Sequence, residues 1–169
     1  MHANIFSLTY LVANMVSLVV LIAAILRPVT ARWMLSLIFI GAGIFNAIMA
    51  IREPDLFMVY GAMTPSAAYE QFIYGAFRNN ITAIVLSISI CQLAAGIFIA
   101  AGRSLGVTGL AAAITFLIAI APLGAGSAFP STLLLAAAAI VLLFKKKSLS
   151  AHPLWTGFFQ LFLHKKNRI

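Results

Sequence analysis

Four blocks of this chain, residues 3–26, 33–51, 79–102 and 104–144, are apolar almost throughout and contain no Asp, Glu, Lys or Arg. Each is long enough to cross a hydrocarbon core of roughly 30 Å at about 1.5 Å per helical residue. The last block is about twice the length that one crossing needs. It is interrupted at Pro122 to Pro130 by two prolines with Gly124 and Gly126 between them, which remove N–H donors and admit a turn, so it reads as a helical hairpin. The pattern therefore predicts an all-α membrane bundle of five spans, near 4–26, 32–52, 80–102, 105–122 and 128–144. Residues 1–147 form the bundle and 148–169 a cytoplasmic tail.

Charge tests that count. With five crossings, Arg27, Arg32, Arg103, Lys145, Lys146, Lys147, Lys165, Lys166 and Arg168 fall on one side with no acid among them. Arg52 and Arg78 fall on the other with Glu53, Asp55 and Glu70. Basic residues concentrate in cytoplasmic loops, so the expected C-terminus is cytoplasmic and the N-terminus external, in a bacterial inner membrane. The first span has no basic residue before it and is longer than a signal-peptide core, so it reads as a retained anchor.

Composition changes the picture only by closing alternatives. The chain has 63% hydrophobic and 8% charged residues, against roughly a quarter charged in an ordinary soluble domain. Its net charge of +8 serves topology and lipid headgroups, and nucleic acid is not an expected partner. Cys91 is the single cysteine, which excludes a disulfide framework and a thiolate metal cluster.

Two segments outside the spans carry helical patterns. Thr64-Pro65-Ser66 has the form of a helix start, and Tyr69, Phe72, Ile73, Ala76 and Phe77 follow at helical spacing. An amphipathic helix is expected there across the outer mouth, as a lid, a gate or a docking surface. In the tail, Trp155, Phe158, Phe159 and Phe162 recur at i, i+3, i+4 and i+7 before Lys165 and Lys166, the pattern of a helix anchored on the cytoplasmic leaflet or docked on a partner.

Candidate chemistry is sparse. Polar side chains within a bilayer need partners, and beyond hydroxyls the spans hold Asn14, Asn46, Cys91 and Gln92. Ser89, Gln92, Gly96 and Ala100 share one face of the third span, suited to close packing with Gln92 as a hydrogen-bonding contact. Gly41 and Gly43 are assigned a similar packing role around Asn46. Counted from the external helix ends, Asn46 lies roughly 9 Å deep and Gln92 roughly 18 Å. A water bridge is therefore expected between them rather than a direct bond. Tyr60, Tyr69, Glu70 and Arg78, with Ser89, Asn46 and Gln92, are the candidate ligand contacts, and the tyrosines also suit an aromatic belt.

No nucleophile with its base, no phosphate loop and no metal site is legible. His2, His152 and His164 all lie outside the spans, which argues against an intrinsic haem. No ionisable residue stands at membrane depth to serve a proton-coupled pump.

The stretch Arg32 to Asn46, Arg-Trp-Met-Leu-Ser-Leu-Ile-Phe-Ile-Gly-Ala-Gly-Ile-Phe-Asn, resembles the opening of the DoxX-like membrane proteins. Their first helix starts with Arg and runs through aliphatic-Phe-x-x-Gly to a Lys. Gln92 to Arg103, Gln-Leu-Ala-Ala-Gly-Ile-Phe-Ile-Ala-Ala-Gly-Arg, resembles that family's second helix, which runs from Glu to Gly-Arg. The resemblance covers residues 32–144 and implies a four-helix core to which the first span is an addition. The family's intramembrane Lys and Glu fall at Asn46 and Gln92, so hydrogen bonding is kept while ionic capacity is lost. It also implies a small subunit beside redox enzymes, some relatives being linked to quinone reduction.

The leading expectation is a non-catalytic accessory or scaffold subunit of a membrane complex, redox- or quinone-linked, with a membrane-protein partner or a second copy of itself. The alternative is a binding protein for a lipid, quinone or small hydrophobe, with its pocket between the second and third spans. A small transporter or channel is weaker, because no internal repeat is legible.

Overall fold

In lipid, every backbone N–H and C=O must be bonded inside the segment, so long apolar runs can settle only as helices or a closed barrel. The computed structural model describes residues 8–145, and among these the long runs are helices. They are α1 (Leu8–Leu26), α2 (Pro28–Arg52), α5 (Ile81–Ala101), α6 (Arg103–Ile120) and α7 (Ser131–Phe144), with the short α3 (Val59–Met63) and α4 (Ala67–Phe72) between α2 and α5. Four helical stretches are long and apolar enough to cross a membrane, at Leu8–Leu26, Pro28–Arg52, Ala67–Ala101 and Arg103–Ser127. This is an integral membrane protein. With 14 residues, α7 is apolar but shorter, about 21 Å at about 1.5 Å per residue.

The five long helices close a ring in the order α1, α2, α5, α6, α7 and back to α1. The α2–α5 pair is antiparallel: Ser36 Oγ donates to Gly96 O at 2.8 Å and Thr82 Oγ1 to Ala50 O at 3.1 Å. The α1–α7 pair is parallel. There Tyr10 donates to Phe129 O, Asn14 Nδ2 to Ala128 O at 3.3 Å, Ser17 shares a 2.6 Å hydrogen bond with Ser131, and Lys145 donates to Ile25 O at the far end. Arg27, Arg103 and Lys145 thus gather at one end of the bundle. Arg52, Glu53, Asp55, α3, α4 and the Ala121–Ser127 turn occupy the other.

Backbone chemistry sets the turns. Gly102, at φ 69° and ψ −164°, lets α5 pass into α6 almost at once. Gly124, at φ 62°, begins the return between α6 and α7, where an added Cβ would stand 2.8 Å from Pro65 Cδ.

Four expectations are corrected in the fold. The second helix starts at Pro28 rather than 32, because proline suits the first helical position, where its missing N–H costs nothing. That earlier start puts Arg32 one turn inside the helix and facing α5. It is therefore not a headgroup-facing cation: it is 0% exposed, and Nη2 donates to Ala100 O at 3.5 Å, near the carbonyl end of α5 where a cation is favoured.

The third correction concerns the segment after Thr64, which is not one continuous amphipathic helix. α4 ends at Phe72, and a π-helical turn follows over Ile73–Phe77, where Gly75 leaves helical geometry (φ −100°, ψ −106°). Ile73 and Phe77 are buried while Ala76 is exposed. Thr64 does not cap the helix; Ser66 holds that position. The Thr64 hydroxyl accepts the Ser66 N–H and donates across to Pro122 O at 2.6 Å.

Glycines set how closely the helices approach. A Cβ on Gly96 would lie 3.0 Å from Ser36 O and 3.1 Å from Ile40 N, and one on Gly43 would lie 3.0 Å from Ser89 O. Ala100 is half-buried beside Arg32. Among the described residues Gly41 takes no part in packing: it is exposed, with none of their heavy atoms within 4 Å of its would-be Cβ, because it sits off the face that carries Gly43. The tail residues Trp155, Phe158, Phe159, Phe162, Lys165 and Lys166 lie outside the described residues, as do the first residues of the expected first span.

Candidate functional site

At the acidic end of the bundle, α2, α5 and α6 line a cavity of about 280 Å³. Asn46 comes from α2; Ile84, Val85 and Ile88 come from α5; Phe116 and Ile120 come from α6. Leu123, Gly126 and Ser127 of the turn complete the wall. Phe57, Tyr60, Tyr69, Phe72, Ile73 and Phe77 close the end. Phe116 packs edge-on against Phe39 at 6.0 Å, and Phe39 belongs to the main core, so this pair separates the cavity from the rest of the interior.

The covering segment is held by local chemistry. Pro122 has no N–H to bring to the Ala119 carbonyl in a 3₁₀ turn, and the Tyr69 hydroxyl donates to that oxygen at 2.5 Å. Thr64 holds Pro122 O nearby. Tyr60 lays its ring over Gly126, where a Cβ would stand 2.6 Å from Cδ1, and meets Phe57 edge-on at 6.0 Å. Burial raises the Tyr60 phenol above its usual pKa, so it stays protonated throughout the physiological range.

Asn46 and Gln92 meet directly. Asn46 Nδ2 donates to Gln92 Oε1 at 2.9 Å, and Gln92 is only 5% exposed, so the expected water bridge is overturned. The physical reason lies in side-chain direction. Helical side chains lean toward their own N-terminus. On two antiparallel helices the two amides therefore lean toward each other and close the axial offset between their backbones. They converge where Gly43 lets the backbones approach.

Of the other candidates, Tyr60 and Tyr69 line the cavity with Asn46. Ser89 is buried and donates to Val85 O of its own helix at 2.7 Å. Glu70 and Arg78 are exposed and off the lining, because they fall on the outer side of the covering segment. Sequence reasoning missed the α6 wall. Phe116 in mid-helix and the Pro122-to-Gly126 break were the available signals, but nothing in the spacing said that they face Asn46. Among the described residues no group of three His, Cys, Asp or Glu could hold a metal.

No protein-family model, curated protein or solved structure matches this chain.

Proposed function

We propose that this chain is a membrane-embedded binding protein for a small, mostly apolar molecule, of the lipid or quinone-sized class, held beneath the α3–α4 cover. The observation that carries the reading is the aromatic cavity with Asn46 and Tyr60 in its lining. Protein interiors otherwise pack to crystal density, and binding sites are typically apolar hollows with a few convergent polar groups. Ile88→Trp, which fills the cavity from α5, is expected to abolish retention of a co-purifying hydrophobe in native mass spectrometry while leaving the protein folded. Equal retention in the parent and the variant would remove the reading.

A second reading, an accessory subunit of a redox-linked complex, is supported by the resemblance of residues 32–46 and 92–103 to the DoxX-like proteins. Under it, the same spectra from a mild extraction carry an enzyme subunit bound to this chain. Repeated recovery of the chain with no protein partner would count against it.

The orientation belongs to this proposal: five crossings in a bacterial cytoplasmic membrane, N-terminus outside. Support comes from Arg27, Arg103 and Lys145 sharing one end and the three acids sharing the other. In a Cys91→Ala background, Asp55→Cys is expected to react with an impermeant maleimide on intact cells, and Ser104→Cys only after lysis. The opposite labelling order would invert the topology.

A further inference from the structure

The hydrogen-bonding inventory of the cavity is uneven, and this unevenness specifies an occupant. Among the described residues its polar lining consists of Asn46, Tyr60, Tyr69 and Ser127, with no charged side chain. Tyr69 spends its hydroxyl on Ala119 O, and Ser127 spends its own on Gly124 O at 3.0 Å. Asn46 gives Nδ2 to Gln92. Asn46 Oδ1 and the Tyr60 hydroxyl are left, and neither bonds a described residue.

These two atoms ask for different things. An amide oxygen only accepts, so an occupant must bring an O–H or N–H to Asn46 Oδ1, while a phenol can donate to an acceptor on the same molecule. A charge would enter a low-dielectric site with no counter-charge among the described residues, which is costly. Rings of Phe57, Tyr60, Phe116 and Phe77 form much of the wall, and aromatic rings stack or meet edge-on with a flat partner. An apolar cavity of about 150 Å³ accommodates one benzene; this one, at about 280 Å³, has room for about two rings.

Resting on the proposed binding role, we infer that the cavity takes a neutral, hydroxyl-bearing aromatic molecule of about two rings, whose O–H donates to Asn46 Oδ1 while Tyr60 donates to its acceptor. Gln92 is then a positioning residue. By accepting from Nδ2, it turns the carbonyl side of the Asn46 amide to the occupant. The direct Asn46–Gln92 bond thereby acquires a role in specificity besides helix packing.

The test uses the full chain in lipid nanodiscs with radiolabelled β-naphthol, read by scintillation proximity. Its competitors are the methyl ether of β-naphthol, which keeps the rings and loses the O–H, and naphthoate, which is charged. Saturable β-naphthol binding is expected, with the ether about tenfold weaker, the worth of one hydrogen bond, and naphthoate ineffective. Tyr60→Phe, which removes only a hydroxyl, is expected to weaken β-naphthol by about fivefold or more. Gln92→Leu is expected to bring the naphthol-to-ether ratio close to one, because the Asn46 amide is then free to turn. Equal competition by naphthol and ether in the parent chain would overturn the hydroxyl inference while the hydrophobe-binding role survives. Absence of saturable binding by any of these probes, with a co-purified lipid occupying the site instead, would overturn the aromatic class. Absence of binding with no occupant of any kind would take both down.

Discussion

Replacing Gly109 with alanine is expected to destabilise the detergent-solubilised chain by about 1–3 kcal/mol, the usual cost of overpacking a filled interior. A Cβ there would stand 2.7 Å from Ile99 N and 2.8 Å from Ala95 O, both backbone atoms of the neighbouring helix. A side-chain tip can swing aside, but a helix backbone yields only by moving as a unit. Small residues are what let membrane helices approach so closely, because lipid tails are as apolar as leucine and supply no hydrophobic drive between helices. Gly41→Ala is the matched control. It meets nothing within 4 Å, and alanine is the better helix former, so that variant is expected to match or slightly exceed the parent. Thermal melts followed by circular dichroism separate the two. Indistinguishable melts for Gly109→Ala and the parent would show that α5 and α6 do not pack as described.

The Asn46–Gln92 pair makes the second prediction, and its content is an asymmetry. Asn46→Leu alone strands the buried Gln92 amide, which is expected to cost about 1–2 kcal/mol, within the range for an unsatisfied buried polar group. The double variant Asn46→Leu with Gln92→Leu removes both partners and leaves no orphan. It is expected to cost less than the two single changes added together. Side-chain hydrogen bonds between membrane helices average about 0.6 kcal/mol in double-mutant cycles and reach about 1.7. A coupling within that range fits the 2.9 Å contact. Strict additivity of the two substitutions would mean that the amides do not meet in the membrane.

How much of this was legible in the chain depends on which property is asked about. The helical character of the long runs and the grouping of basic residues needed only composition and order. Most helix limits lay close to expectation, since Gly102 and the Pro122–Pro130 stretch are local signals. Pro28 shifted one start by four residues, and that shift carried Arg32 from the rim into the interior. The face shared by Ser89, Gln92 and Gly96 was readable from spacing. Gly43 and Gly41 were not separable from each other, because two residues along a helix point about 200° apart and only the position of the neighbouring helix selects one. Gly109, whose contact is the tightest approach to backbone, drew no notice at all, since nothing in its own segment marks it.

The candidate site followed the same division. Asn46, Tyr60 and Tyr69 stood out as polar or amphipathic side chains in apolar surroundings, and all three line the cavity. Glu70 and Arg78 stood out for the same reason and do not. One covering segment carries both kinds, and which face turns inward was settled by Gly75 and the π turn, along with the tie from Tyr69 to Ala119.

By itself, then, the order of residues determined that this protein lives in a membrane as a helical bundle, because burying uncharged helices in lipid is a property of each segment taken alone. Tertiary structure decided which polar side chains pair with one another and which line a cavity. That outcome depends on helix direction, side-chain lean and the approach of backbones from segments far apart in the chain, none of which a single segment contains.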